Sequence, residues 1–384
     1  MRILISVQNY HPAYSFGGTV MEAVALAEGL HRLGHDVEVV TSSVIKRDGY
    51  PALHTYSDCI NGVRVTYLGT WLNLRHVSLN PSVLPFAFSK VSQFDAVHII
   101  GLYDVLGPAV AFAARRAGVP YAVEPSGMLI PIVRSLRLKR LYHGILGRPM
   151  LNGAHAVVVT SRVEWDDALR FGIPREKLFL SRNGINLEEY KSLPQRGTFR
   201  MRFGIPDEIP LILWLGRIEA KKNLEQLIEA LAGLKHYLWA LAVAGPSESP
   251  SYLNSLRRLA QKFGIEKRLH FVPGLYDWDK VSAYRDADIF VLVSVNENWG
   301  NTVMEAIACG VPVLVTRTCG VAEVVEGRAG LVVERNVSSI QNGLERLMND
   351  ADLYRWFKTQ LSDLASELSR DKKACQIADL FRSW

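Results

Sequence analysis

At 384 residues the chain is too long for one small core, so two domains are expected, and its 48% hydrophobic and 9% aromatic content fits a well-packed soluble α/β protein. No apolar run approaches the roughly 18 residues of a membrane span, and four scattered cysteines (Cys59, Cys309, Cys319, Cys375) with no CxxC pair argue against a disulfide frame or a zinc site and for free thiols in a reducing cytosol. Charge is uneven. Residues 1–200 carry 22 Lys+Arg against 15 Asp+Glu, a surplus of +7; by subtraction from totals of 44 and 38, the remainder carries 22 and 23, or −1. The basic half suits an anionic membrane surface as a candidate partner, and no nucleic-acid partner is expected.

The chain opens on RILISV (2–7), a strand-like run. No apolar leader with a small-residue cleavage site follows it, so no secretory signal is expected and the protein is expected in the cytoplasm. Helical spacing over 20–33 ends at Gly34, a plausible C-cap. Further strand-like runs follow at 36–41, 63–68, 96–100, 121–124, 156–160 and 177–181. The stretch 192–210, with Pro194, Gly197, Gly204, Pro206 and Pro210, reads as a linker. A second series then begins at 211–216, 238–244, 269–273, 288–294, 311–316 and 330–334, and 338–384 reads as helices. Alternating strands and helices from end to end predict parallel sheets covered on both faces. The expected division is a first domain over 1–190, a linker over 191–208, a second domain over 209–365 and a final helix over 366–384.

Chemistry concentrates in the second series. Glu297 and Glu305, with seven residues between them, lie in a strand–loop–helix–strand unit that contains Asn298, Trp299, Gly300, Asn301 and Thr302. In open parallel sheets the crevice at the strand ends binds ligands, and a helix N-terminus there offers N–H groups and a positive dipole end to an anion. Two buried carboxylates beside an anion are costly unless they hold hydroxyls, so the natural ligand is a phosphorylated sugar. A surface Glu and a helix-internal Glu with no joint role is the plain alternative. Upstream, Arg217 and Lys222 sit in a loop that leaves a strand and opens a helix, where both can converge on a diphosphate whose charge rises as its glycosidic bond breaks. A solvated helix start accounts equally well for Lys221. Gly17 and Gly18 allow close backbone approach to a ligand, although a Gly pair is also an ordinary loop. Asp286-Ala287-Asp288 has the form of a metal-holding D-x-D, but it precedes a strand, at the end opposite the crevice; it reads as structural, and no metal is expected. No G-x-G-x-x-G fingerprint supports a nicotinamide enzyme. Finally, 128–150 carries Arg134, Arg137, Lys139, Arg140 and Arg148 with no acid, interleaved with Leu and Ile. It reads as a basic amphipathic segment for a membrane surface, or as a solvated helix packed on its domain.

These motifs resemble those of the retaining glycosyltransferases of family four. The segment 297–306 is similar to E-x-F-G-x-x-x-x-E-A, with Trp299 in the Phe position, and Gly216-Arg217 through Lys222-Asn223 to G-R-x-x-x-x-K-[GN]. Pro12 through Gly18 resembles P-x-x-G-G, 34–41 resembles G-H-x-V-x-V-x-T, and 181–186 resembles the P-N-G-[IV]-D loop, for which a tight turn is a sufficient explanation. The resemblance implies the GT-B fold, two doubly wound Rossmann-like domains facing across a cleft, with the last helix crossing back to the first. It implies that Glu297 approaches the hydroxyls of the donor sugar and Glu305 the ribose. Arg217 and Lys222 would grip the diphosphate, which the amides of Gly17 and Gly18 also face. The backbone of Leu275 would read uracil beside the Lys280 stem. Where the family has P-H-G-M-L, this chain has Glu124-Pro125-Ser126-Gly127-Met128; either the sugar contact at Ser126 is altered or Glu124 substitutes for it. The expected function is metal-independent, retaining transfer of a hexose from a nucleotide sugar, UDP-linked, to a glycan or lipid-linked glycan, with no cofactor. Alternatives are a sugar-nucleotide epimerase or phosphorylase on the same fold, and a non-catalytic nucleotide-sugar-binding subunit.

Overall fold

Apolar runs such as AVHII and LILWL lack the alternation of a half-wetted strand. In the computed structural model they form the interior of two parallel sheets, buried on both faces. The structure describes residues 1–46, 51–74, 77–131, 136–247 and 249–384, apart from the side chains of 74, 77 and 79. It divides into two units, Met1–Gly184 with Arg370–Trp384, and Ile185–Ser369.

The first unit is built on β1 (Arg2–Val7), β2 (Asp36–Ser42), β3 (Tyr56–Ile60) and β4 (Val63–Leu68). A separate hairpin follows, β5 (Leu72–Leu74) with β6 (Val77–Leu79), and then come β7 (Ala96–Ile100), β8 (Tyr121–Glu124), β9 (Ala156–Val159) and β10 (Leu178–Leu180). The eight-stranded sheet runs β10-β9-β8-β7-β1-β2-β4-β3 and is parallel except for the β3 edge. All seven expected strands are present; the sequence reading missed β3 and the hairpin, which are short and partly exposed. The helix Gly18–Arg32 follows β1, and Gly34 adopts a left-handed φ of 84° just past its end. The C-terminal helix Arg370–Arg382 belongs to this unit. Its Ala374 packs so closely on Gly29 that a Cβ on Gly29 would lie 2.7 Å from it.

The second unit holds β11 (Leu211–Leu215), β12 (Ala240–Ala244), β13 (Leu269–Val272), β14 (Ile289–Leu292), β15 (Val313–Thr316) and β16 (Gly330–Val333), in the order β13-β12-β11-β14-β15-β16. Every pair is parallel. Among the described residues no helix is long and apolar enough to cross a membrane.

The stretch 191–208, expected to be a linker, is part of this second unit. It forms the helix Thr198–Phe203, and Phe199, Arg200 and Ile205 are buried. The cause is the D-x-D pair. Asp286 accepts the N–H groups of Gly197 (2.6 Å), Phe199 (2.7 Å) and Arg200 (2.9 Å), which caps that helix. The Arg200 guanidinium bonds Asp288 at 2.6 Å and the carbonyls of Asp286, Pro206 and Ile209. Both carboxylates are thus committed to holding a Pro- and Gly-rich segment onto the sheet. Asp286→Ala strands two buried N–H groups and one half-buried one, and a loss of roughly 3 kcal/mol of stability is expected. Urea unfolding measures it; an unchanged midpoint would refute the cap.

Candidate active site

The second sheet reverses its direction of growth between β11 and β14, so the loops leaving the carboxyl ends of these two strands are neighbours. Loop 216–223 is seated by glycine: a Cβ on Gly245 would lie 1.7 Å from the Gly216 carbonyl oxygen. The Gly216 N–H donates to Ala244 at 3.0 Å, and Ile218 N–H to Pro246 at 2.9 Å. Its far end is sewn to the loop after β14. Val295 N–H donates to the Lys221 carbonyl at 2.8 Å, and Asn223, left-handed at φ 60°, sends its side-chain amide to the Val293 carbonyl at 3.1 Å.

Across this seam the Lys222 ammonium pairs tightly with Glu297 Oε2, with the Ser294 hydroxyl at 3.5 Å from the same oxygen. Burial alone would raise the Glu297 carboxyl, but Lys222, helped by Lys221 and Arg217, holds it below the ordinary carboxylate range. Glu219 lies 3.6 Å from Arg217 and 3.5 Å from Lys221. Three cations therefore face two carboxylates, leaving a net positive charge at the strand ends. The backbone of Glu297 is pinned as well, its N–H to Thr318 (3.2 Å) and its carbonyl from Gly320 (2.8 Å). Gly300, at φ 109°, is the N-cap of the helix Asn301–Ala308 and brings no side-chain cap; its carbonyl takes the Val303 N–H at 2.9 Å, and a helix start of this kind suits an anion.

Within that helix Glu305 has both oxygens engaged, Oε1 by Lys280 at 2.9 Å and Oε2 by the Tyr284 hydroxyl at 2.8 Å. Burial would lower the Lys280 ammonium, but Glu305 overrides it and the pKa is raised. Among the described residues the N–H and carbonyl of Leu275 make no hydrogen bond, and the residue is buried, 8% exposed, with its side chain in the core. Trp299, expected to bind the donor, is instead only 2% exposed and belongs to the apolar cluster that includes Leu292 and Val321; its ring is core. Asn298 and Thr302 remain half-buried beside it.

In the first unit Gly17 is left-handed (φ 102°) with open space where a Cβ would point, and the helix starting at Gly18 has no side-chain cap. Glu124, expected as a sugar contact, is fully buried. One oxygen meets His98 Nε2 at 2.9 Å and the other the Lys373 ammonium from the C-terminal helix, so it has no face for a sugar. Burial would raise Glu124, but Lys373 and His98 hold it well below the ordinary range. Ser126, left-handed at φ 51°, donates to Glu22 Oε2 at 3.3 Å.

Two family models match the chain, the glycosyl transferases group 1 model over residues 195–361 and the glycosyl transferase 4-like domain over 17–184. The chain belongs to the group 1 glycosyltransferases. This glycosyltransferase is 28% identical to the D-inositol 3-phosphate glycosyltransferase of Corynebacterium urealyticum, over 93% of its own length and 88% of the relative's. It is 27% identical to an uncharacterized glycosyltransferase of Methanocaldococcus jannaschii, over 91% and 90%. Among solved structures, Anabaena HepE in complex with UDP-glucose matches with a TM-score of 0.77 at 18% identity, covering 100% of both chains. The fold of the glycosyltransferase is GT-B, with two Rossmann-like domains.

The sequence reading of the glycosyltransferase missed Tyr284 and the first-unit residues Glu22, Asn183 and Lys373. Tyr284 lies four residues after Lys280 on the helix Asp277–Asp286, so helical spacing could have paired them. No local spacing links Glu22, Asn183 and Lys373. Lys222→Met is expected to reduce glycosyl transfer about 100-fold, as loss of a preorganised charge contact does. With the ammonium gone, burial acts on Glu297 against only the weaker pull of Lys221 and Arg217, so the acid limb of the pH–rate profile should move to higher pH. Near-normal transfer by a folded variant would refute the role.

Proposed function

We propose that this glycosyltransferase moves a hexose from a UDP-sugar to a glycan or lipid-linked glycan, with retention and without a divalent metal. The Lys222–Glu297 pair beside an uncapped helix start carries this reading: the cation and N–H groups suit a diphosphate, the carboxylate suits sugar hydroxyls. Arg217 and Lys222 take the charge that grows on the diphosphate as its oxygen leaves the anomeric carbon. Glu297, with Asn298 and the Gly300–Thr302 turn, orients the sugar. Glu305 receives the ribose hydroxyls, which replace its present contacts with Lys280 and Tyr284, and the backbone of Leu275 reads the base. The acceptor oxygen bonds the anomeric carbon on the face the phosphate leaves, and its proton passes to the departing phosphate oxygen, so no enzymic nucleophile is required.

Asp286 and Asp288 are committed to Arg200 and backbone N–H groups, and among the described residues no three His, Cys, Asp or Glu side chains gather around a cation site. Positive charge for the leaving group then comes from Arg217, Lys222 and helix starts. A thermal-shift and turnover screen across nucleotide sugars tests this. A UDP-hexose should stabilise the protein and be slowly hydrolysed without acceptor, at a rate unchanged in excess EDTA. Stabilisation without turnover would favour a binding subunit, and loss of rate in EDTA restored by magnesium would overturn the metal-free reading.

A cytoplasmic enzyme visiting an anionic membrane fits the first unit. The helix Leu136–Tyr142 and the turn after it expose Leu138 (64%), Leu141 (57%) and Ile145 (62%) beside the exposed Arg137 and Arg140; Arg134 lies outside the described residues. Each near-surface cation contributes about 1 kcal/mol toward anionic lipid, screened by salt. Co-sedimentation with anionic but not neutral vesicles is expected, weakened by replacing Arg137, Lys139 and Arg140 with Ser. Wild-type protein that stays in the supernatant at physiological salt would favour a soluble acceptor.

A further inference from the structure

A chain of buried polar groups runs through the first unit from its sheet to the C-terminal helix. His98 on β7 bonds Glu124 at the end of β8, and Glu124 bonds Lys373. The Lys373 ammonium also bonds Asn183 Oδ1 at 2.6 Å, and the Asn183 amide donates to Glu22 Oε1. Glu22 Oε2 accepts the Ser126 hydroxyl, and the next N–H, of Gly127, is held by Glu164 at 2.5 Å. His98, Glu124 and Glu164 are all at least 98% buried, whereas Glu22 and Ser126 are only half-buried, so the chain runs from interior to surface. It ends at the left-handed turn Ser126-Gly127, one helical turn from the Gly17-Gly18 amides by way of Glu22.

Three carboxylates, Glu22, Glu124 and Glu164, share this region with one ammonium. Glu164 is satisfied by neutral donors: the Gly127 N–H, and the Thr160 N–H (2.8 Å) and hydroxyl (3.0 Å). Lys373 is left to balance Glu124 directly and Glu22 through Asn183. Residue 373 lies 249 positions from Glu124 in sequence, and the rest of the reacting machinery lies on other elements.

We propose that Lys373 is a positioning residue for glycosyl transfer: from the C-terminal helix it fixes Glu22, through Asn183, in the geometry that holds the Ser126-Gly127 turn. This rests on the proposed glycosyl transfer and on the sugar contact that the sequence reading expects at Ser126. An ionised Glu22 accepts from both Asn183 and Ser126, whereas a neutral one must reverse the Ser126 bond and loses the charge assistance, so the turn is held best when that carboxyl has lost its proton. Burial pushes Glu22 up to about 7; Lys373 on the C-terminal helix opposes this, while Glu124 on β8 and Glu164 on the helix Arg162–Phe171 add to it, and the Ser126 hydroxyl works with Lys373. The rate should therefore rise with pH through a step near neutrality.

The test uses the full chain, with UDP-glucose hydrolysis as the probe of turnover and isothermal titration of UDP as the probe of donor binding. Lys373→Met is expected to lower kcat on the order of 10- to 100-fold, the range expected when a supporting group lets a reacting centre shift. The Kd for UDP should stay unchanged. The neutral step should move to higher pH, since the ammonium favouring the Glu22 carboxylate is gone, and Glu22→Gln should abolish it. Lys373→Arg should recover part of the rate. If Lys373→Met fails to fold, Glu124→Gln/Lys373→Met removes both charges of the buried pair and gives the same reading, because Lys373 outweighs Glu124 at Glu22. Amide hydrogen exchange over 124–128, which needs no turnover, should accelerate in either variant. A kcat and pH step within twofold of wild type, or unchanged exchange over 124–128, would overturn the proposal. Wild-type protein that hydrolyses no UDP-glucose would count instead against the glycosyl-transfer reading, and the exchange measurement would still decide the role of Lys373.

Discussion

The placement of β14 beside β11, rather than beside β13, is the constraint on which the second unit's chemistry depends. A chain that built its sheet outward in one direction would cover each strand end with the next crossover. Reversal leaves two adjacent loops uncovered, and they carry Arg217, Lys222 and Glu297. Everything that tightens this seam serves to bring a cation and a carboxylate together at one point. Gly245 lets two backbones touch, Asn223 turns left-handed to reach the Val293 carbonyl, and the Glu297 backbone is tied to 318–320. Two ions this close would repay their desolvation poorly in a dry core. At a half-open strand end they stay poised for a ligand, and the surplus cation sets its sign.

Both units meet the cost of burying carboxylates in the same way, with a cation delivered from another element. Glu305 is met by Lys280 and Tyr284, Glu124 by Lys373. The consequences differ with exposure. Glu305 and Lys280 are each 17–18% exposed, so both keep contact with solvent. Glu124 and Lys373 are sealed, and their pairing fixes architecture: it ties the last helix of the chain to the first sheet. The same chemistry thus gives a partly exposed pair in one unit and a sealed brace in the other.

How much of this was legible in the sequence follows from the range of each interaction. Strands β1, β7, β11, β12, β14 and β15 announce themselves as apolar runs because both of their faces are buried, a property written residue by residue. Loop 216–223 and the Glu297–Glu305 segment were legible because each is local: one strand end, one turn and one helix start. The stretch 191–208 misled because proline and glycine mark turns without revealing whether a turn is docked. Asp286, roughly ninety positions away, supplies the dock. Trp299 misled because the motif position describes the loop, while the burial of the ring in the core is decided by the elements packed around it. Glu124 misled because a carboxylate at a strand end reads as available until its partners are known.

The sequence by itself determined the class of fold, the strands, the loops that bear charge and the family to which they belong. Periodicity and motif spacing are short-range properties, and parallel sheets covered on both faces follow from them. Only the tertiary structure decided which charges meet. Lys222 finds Glu297 across 75 residues, Lys280 finds Glu305 across 25 and Lys373 finds Glu124 across 249. A buried ion pair is chosen by where two elements pack and by how much water they exclude. Neither quantity is carried by the residues on their own.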